Sequence, residues 1–256
     1  MENEFATHLR DNAIYGLWKK DLHRGILFHQ TTGMFAQDGT NMLNWADLPS
    51  WSWAALGSPV TWDHSARRDH CTYVCDIELD YSRQTLGLQL RGTLLLSPSV
   101  YNLLSSVGTF NFTTTGSNKH SFGFSFWVDQ WFGSKFGGHK NNLVLAYVSG
   151  EGGYSSKEQM DEFLRNIAIM PIMWGIQDRK GHGSLFDVLS LLLHAPPGSE
   201  RGVYRRVGTV RSYKLCSKDE GFDTSLAEFE QTYRTTLDPH SYQDLNSDGK
   251  YTITVI

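Results

Sequence analysis

The chain has 256 residues, with 23 Lys and Arg against 27 Asp and Glu, a formal net charge of −4. Hydrophobic residues make up 40% and aromatics 13%, enough for one large core or two small ones, which excludes a disordered chain. The slight acidity, with no basic run longer than a pair such as Arg67-Arg68 or Arg205-Arg206, excludes the phosphate attraction on which nucleic-acid binders depend.

The opening "MENEFATHLR" is acidic and lacks the apolar core of a signal peptide, and no apolar stretch is long enough to span a bilayer, so a cytoplasmic protein without a membrane span is expected. Cys71, Cys75 and Cys216 form an odd set without a C-x-x-C spacing, which suits free thiols in a reducing compartment. The sequon at Asn111-Phe112-Thr113 is then unused. Phe5, Leu9, Ala13 and Leu17 fall on one helical face with Asn3 placed to cap it, which predicts a short amphipathic helix running into "YGLWKKDLHRG".

In "LPSWSWAALGSPV" (48–60) an extended reading puts Trp51 and Trp53 on one face and Ser50, Ser52 and Ala54 on the other. This predicts a strand burying two indoles side by side, with Pro49 and Pro59 at its ends. Short alternating or β-branched segments follow: "CTYVCDIELDY", "LGLQLRGTLLL", "GTFNFTTT", "SFGFSFWVDQW", "NLVLAYVS", "NIAIMPIMWGI", "FDVLSLLLHA", "VYRRVGTVRSY" and "KYTITVI". Without regular helices between them, they predict a mainly β fold: an antiparallel β-barrel or two-sheet sandwich with two or three short packing helices, as one domain over 1–256. Ser155 with Glu158 and Ser225 with Glu228 are capping boxes for two such helices. Met160, Phe163, Leu164 and Ile167 form the inner face of the first, and Leu226, Phe229 and Tyr233 that of the second.

Few motifs carry recognisable chemistry. "DHSARRDHC" (63–71) reads as a polar loop, a substrate-facing rim or a metal site, the last weakened because two His six apart have no standard ligand spacing. "DLNSDG" (244–249) resembles half of a calcium loop, but Val255 stands where a bidentate Glu is needed, so a β-turn is expected. No G-x-S-x-G elbow, Walker A loop, H-E-x-x-H or strand-linked G-x-G-x-x-G occurs. His120 with Asp129 as its orienter is one conceivable acid–base pair. The densest feature is aromatic. On an extended 121–131, Phe122, Phe124 and Phe126 share one face while Trp127, Asp129 and Trp131 share the other, the latter either a packing layer or the lining of a lipophilic pocket with one polar anchor.

"YGLWKKDLHRGILF" (15–28) followed by "LPSWSWAALGSPV" resembles the segment that follows the HET domain proper in fungal heterokaryon-incompatibility proteins, where a G-L-W-x-x-D-L-x-x-G-L-L-W stretch precedes P-S-W-S-W-A. The likeness continues in order through "DIELDY…LGLQLRGTLLL" (76–96), "FSFWVDQ" (124–130), "IMPIMWG…LSLLLHAP…VYRRVGTV" (169–210) and the closing "KYTITVI". It covers nearly the whole chain but only the C-terminal region of those proteins. It therefore implies a freestanding HET-like module, or a fragment, and does not carry over the cell-death activity associated with the missing domain. Trp18, Trp51 and Trp53 match the pattern and are assigned to the fold.

Two functions are compatible with this reading. The first is a cyclase or pericyclase of fungal secondary metabolism, cofactor-independent and Diels-Alderase-like, closing a ring in a lipophilic small-molecule substrate held in an aromatic-lined pocket. Asp129, His64 and Arg68 are then the catalytic candidates; Trp127, Trp131, Tyr154 and Trp174 are the substrate-binding ones; no metal or other cofactor is expected. The second is a non-catalytic interaction or regulatory module with a protein partner.

Overall fold

The computed structural model describes residues 12–30, 48–56, 60–62, 71–83, 86–95, 123–128, 167–179, 183–195, 198–216, 227, 229, 231 and 237–256. For residues 30, 56, 123–128, 177–179, 183 and 215–216 it describes the backbone alone. The fold is mainly β and barrel-like, as the spacing of alternating segments predicts.

The described strands are β1 (Ala13–Ile14), β2 (Leu17–Trp18), β3 (Phe28–Gln30), β4 (Val60–Trp62), β5 (Cys71–Tyr73), β6 (Asp76–Asp80), β7 (Gly87–Gly92), β8 (Gly123–Val128), β9 (Ile167–Arg179), β10 (Gly183–His194), β11 (Val203–Cys216), β12 (Asp244–Leu245) and β13 (Tyr251–Val255). The main sheet runs β5-β9-β10-β11-β13-β7-β6. Strand β11 divides its outer edge: Val203 and Tyr204 pair in parallel with β13, while Gly208 to Tyr213 pair antiparallel with β8. The sheet then returns on itself. Beyond β7, Leu95 exchanges two backbone hydrogen bonds with Ile169 of β9, at 2.9 and 3.0 Å, and the Val74 amide donates to the Ile172 carbonyl at 3.0 Å. Closure of this kind removes sheet edges that would otherwise recruit another chain.

β9, β10 and β11 are buried on both faces, which is why "IAIMPIMW" and "LSLLL" read as continuous apolar runs instead of alternating ones. Leu189, Leu191 and Leu193 of β10 meet Met170 and Met173 of β9, Leu88 and Leu90 of β7, and Ile253 and Val255 of β13 in the interior. Each fully buried side chain of this size contributes roughly 1.5–3 kcal/mol. On the outer face Phe186, Val188 and Leu192 are buried as well. Pro171, which has no amide to donate, sits at the register shift where Leu189 faces Met173 but Ser190 faces Pro171.

Two expectations near the N-terminus are corrected. The helix predicted through Ala13 and Leu17 is a β1–β2 hairpin over its described part, with Ala13 opposite Trp18 and Ile14 opposite Leu17. Tyr15 and Gly16 both take positive φ, 48° and 83°, the requirement of a tight two-residue hairpin turn. The strand predicted at 50–54 is a turn followed by a 3-10 helix, Trp53–Leu56. Local hydrogen bonds win over the two-residue period here: the Ser52 amide donates to the Pro49 carbonyl at 2.9 Å, and the Ser52 hydroxyl accepts from the Ala54 amide at 3.1 Å in the manner of a helix cap. Consequently the indoles part company, Trp51 fully buried and Trp53 37% exposed.

These two stretches dock on each other. The Ser52 hydroxyl donates to the Tyr15 carbonyl at 2.7 Å, Trp53 Nε1 donates to the Gly16 carbonyl at 3.0 Å, and the Tyr15 and Trp51 rings meet edge-to-face at 5.7 Å. Ser50 ties the joint to the barrel: its hydroxyl accepts from the Arg206 amide at 2.9 Å and donates to the Ile256 carbonyl. Arg206 in turn donates to the carbonyls of Ile26 and Phe28 and lies over the Phe28 ring.

Of the packing helices, 155–166 lies outside the described residues, and Ile167, expected on the inner face of the first helix, instead opens β9 opposite His194; Ala227, Phe229 and Gln231 are helical, with Phe229 buried and the other two exposed. "GTFNFTTT" and "NLVLAYVS" also lie outside the described residues. The 244–249 segment is β12 followed by the turn to β13, in which the Asn246 side chain accepts from the amides of Asp248 and Lys250 at 3.0 and 2.8 Å.

Candidate functional site

Asp129, His64, Arg68, Trp131 and Tyr154, together with His120, lie outside the described residues. Trp174 is half-buried in β9, opposite Thr72 and Val188, its ring 6.1 Å from that of Phe186. Trp127 holds a place in β8 opposite Thr209. The register does not bring these two together. Trp174 shares a row with Val188, Ser212 and Phe124, whereas Trp127 shares one with Thr209 and Leu191, of opposite parity and therefore on the other face of the sheet.

The row of Leu191 and Thr209 is the interior one, and it leads to a polar cluster. Asp187 of β10 and Arg211 of β11 stand diagonally across the ladder, since Asp187 faces Tyr213 and Arg211 faces Leu189. Arg211 Nε donates to Asp187 Oδ1 at 2.9 Å and Nη2 donates to Oδ2 at 3.1 Å, a two-pronged geometry that fixes the guanidinium plane. The Asp187 side chain is 2% exposed and that of Arg211 22%. Two residues along β11, Thr209 presents a buried hydroxyl with no hydrogen-bond partner. Leu189 and Leu191, from the apolar interior, are the direct register partners of Arg211 and Thr209. On the β8 side, Ser125 faces Arg211 and Trp127 faces Thr209.

A charge pair and an idle hydroxyl are costly in such a setting. Desolvating two ions takes several kcal/mol that their attraction only partly returns, and an unpartnered buried hydroxyl costs about 1–3 kcal/mol. A buried hydroxyl without a partner is uncommon in native proteins and is a place where a ligand or a water can serve it. Neither Asp187 nor Arg211 stands out in the sequence, because they become neighbours only through the β10–β11 register; the one trace is a charged residue interrupting "SLFDVLSLLL".

Ser190 and Ser212, on the opposite face of β10 and β11, also carry buried hydroxyls with no hydrogen-bond partner, whereas Cys75 and Tyr204 serve the fold. Burial pushes the Cys75 thiol up to about 12, so it is no nucleophile near neutral pH. Burial likewise pushes Tyr204 up to about 12, while its hydroxyl donates to the Ser241 carbonyl at 2.8 Å and anchors the segment before β12. Neither Cys71 nor Cys75 is in a disulfide. Among the described residues no three His, Cys, Asp or Glu are gathered as a metal-ligand set, and no helix is long and apolar enough to cross a membrane.

Comparison with protein-family models, with curated proteins and with solved structures finds no match to this chain.

Proposed function

We propose that the chain binds a lipophilic small molecule at the β8 side of the barrel interior and closes a ring in it without a cofactor, as a cyclase of the Diels-Alderase type. The observation that carries this reading is the Asp187–Arg211 pair with the idle Thr209 hydroxyl, set in an apolar interior on the rows that Ser125 and Trp127 share. In a pericyclic closure π bonds are exchanged for σ bonds within one molecule, with no atom gained or lost and no oxidation. The barrier then falls mainly by holding the two ends in a near-attack shape. A fixed donor aimed at a carbonyl conjugated to the reacting bonds adds about 3 kcal/mol. Asp129, following β8, and His64, Arg68, Trp131 and Tyr154 remain the proposed further contacts, Asp129, His64 and Arg68 being the catalytic ones.

The chain is also proposed to be a freestanding relative of the region that follows the HET domain in fungal incompatibility proteins, acting in the cytoplasm in secondary metabolism. What supports this is that 15–28 and 48–60, the two stretches on which the resemblance is densest, meet as one joint at the carbonyls of Tyr15 and Gly16.

The test is turnover. The protein is incubated with a library of linear polyene ketones and amides, and products are separated by liquid chromatography with mass detection. A new peak of unchanged mass, absent with heat-denatured protein, is expected; its absence across the library would remove the enzymatic reading. One observation favours the second reading, an interaction module: Tyr15 and Trp53, at the same joint, are 43% and 37% exposed. Under that reading Trp53→Ser weakens association with a protein partner and leaves small-molecule binding unchanged.

A further inference from the structure

We infer that the barrel opens first at one seam, where β5 lies against β9, and that His23 is the latch holding that seam shut. β5 and β6 are one run of chain bent at Cys75. The β5 arm runs along β9, with Cys71 to Tyr73 opposite Gly175 to Met173 and the Val74 amide on the Ile172 carbonyl. The β6 arm returns along β7, with Asp76 to Asp80 opposite Arg91 to Gly87. β7 and β9 lead to a direct pairing of their own at Leu95 and Ile169, so the two arms fill the wedge between them.

The arms are held unequally. β6 pairs along five residues, packs Ile77 and Leu79 on the core, and has ion pairs between Asp76 and Lys250 at 3.8 Å and between Asp80 and Arg83 at 3.4 Å. β5 pairs along three residues, of which Thr72 and Tyr73 are exposed. Tyr73 is the register partner of Met173, an interior residue, and so faces inward, yet it is 44% exposed; the interior is thinly covered beside it. A short strand with few buried apolar side chains opens at lower free energy than the body of a fold.

His23 offsets this weakness. From the single helical turn Leu22–Gly25, its Nε2–H donates to the Cys75 carbonyl at 2.8 Å, and its ring stacks on Tyr73 with centroids 4.2 Å apart. One side chain thereby grips both the bend and the β5 arm. Its footing is firm, because Leu22 on the same turn and Cys75 at the bend both lie in the core. Release of β5 would uncover the β9 edge from Ile172 to Gly175 and the interior beside Met173, giving the barrel a gate at a defined place. This gate concerns access to the interior and stands apart from the ring-closing reading.

The experiment is amide hydrogen exchange of the full chain near neutral pH, followed at Val74 in the seam and at Leu191 of β10, a strand paired on both edges, in the native chain, His23→Ala and His23→Phe. Corrected for intrinsic rates, Val74 is expected to exchange at least about a hundredfold faster than Leu191 in the native chain. His23→Ala should speed Val74 by a further factor of about ten and leave Leu191 unchanged, while His23→Phe, which keeps a ring over Tyr73 and loses the hydrogen bond, should speed it by about threefold. Val74 exchanging at the rate of Leu191 would overturn the gate. Variants that leave Val74 unchanged, that speed both amides alike, or that both fail to fold would overturn the latch, since His23 would then serve no seam or the whole fold.

Discussion

The indole of Trp53 lies across Gly16, with Nε1 so placed that a Cβ on residue 16 would sit 2.5 Å from it, while the Trp53 Nε1–H donates to the Gly16 carbonyl at 3.0 Å. Two short stretches, 37 residues apart, thus fit only if one of them supplies a glycine. Gly16→Ala should destabilise the chain twice over, through a left-handed φ of 83° and through the displaced indole, by about 2 kcal/mol or more in urea unfolding. A loss below about 0.5 kcal/mol would show the joint to be loose.

The two tryptophans of "SWSWA" are expected to behave differently. Trp51 is fully buried and reaches the Leu86 carbonyl through Nε1 at 3.3 Å, so Trp51→Ala should cost about 3–5 kcal/mol. Trp53, part-exposed, should cost clearly less. Equal losses for the two would contradict the inward and outward assignments.

The Asp187–Arg211 pair is testable by a double-mutant cycle. Asp187→Leu alone or Arg211→Met alone breaks the two-pronged pair beside the apolar interior and should cost about 3–5 kcal/mol, the smaller figure applying to loss of Asp187 because the Arg211 side chain reaches solvent. The double variant should recover most of the loss. If the two losses simply add, the pair is uncoupled in the folded chain.

Thr209→Val should leave the free protein as stable as before or more stable by about 1 kcal/mol, since it removes an unpartnered buried hydroxyl without changing shape. A loss above about 1 kcal/mol in unfolding midpoint measurements would mean that the hydroxyl is satisfied in solution.

His194, buried at the end of β10, has its pKa pushed down to about 4, by burial first and by the neighbouring Arg205 charge second. In the unfolded chain it returns towards 6.5. The unfolded state therefore takes up the proton first as pH falls: the contribution of neutral His194 is intact above 6.5 and is lost progressively between 6.5 and about 4. The loss amounts to about 3 kcal/mol at ~1.4 kcal/mol per unit. Denaturant unfolding across that range should show this limb in the native chain and a flatter one in His194→Gln; parallel curves would deny the assignment.

Much of the barrel is legible in residue order. "CDIELDY" and "LGLQLRG" alternate because one face of β7 is buried and one face of β6 half-buried against the core, and "LSLLL" does not because β10 is covered on both. The N-terminal hairpin is not legible, because the spacing of Ala13 and Leu17 fits a helix and a pair of positive-φ residues overrides it. Nor is the turn at 48–56, where alternating Ser and Trp imitate a strand while Ser52 acts as a cap. The polar cluster is hidden for another reason: Asp187 and Arg211 are 24 residues apart, and only the β10–β11 ladder makes them neighbours. Of the two chosen residues that lie among the described ones, Trp127 takes a register position opposite that cluster, through Thr209, and Trp174 does not.

The measurement that tests the central claim most directly is native mass spectrometry of the chain after incubation with lipophilic fungal extracts, run beside Thr209→Val. A retained molecule of a few hundred daltons, seen on the native chain and lost from the variant while the variant's charge-state distribution stays compact, is the predicted result. A clean ligand-free mass across the extracts, or an adduct held equally by both proteins, would contradict a ligand site built on Thr209 and the Asp187–Arg211 pair.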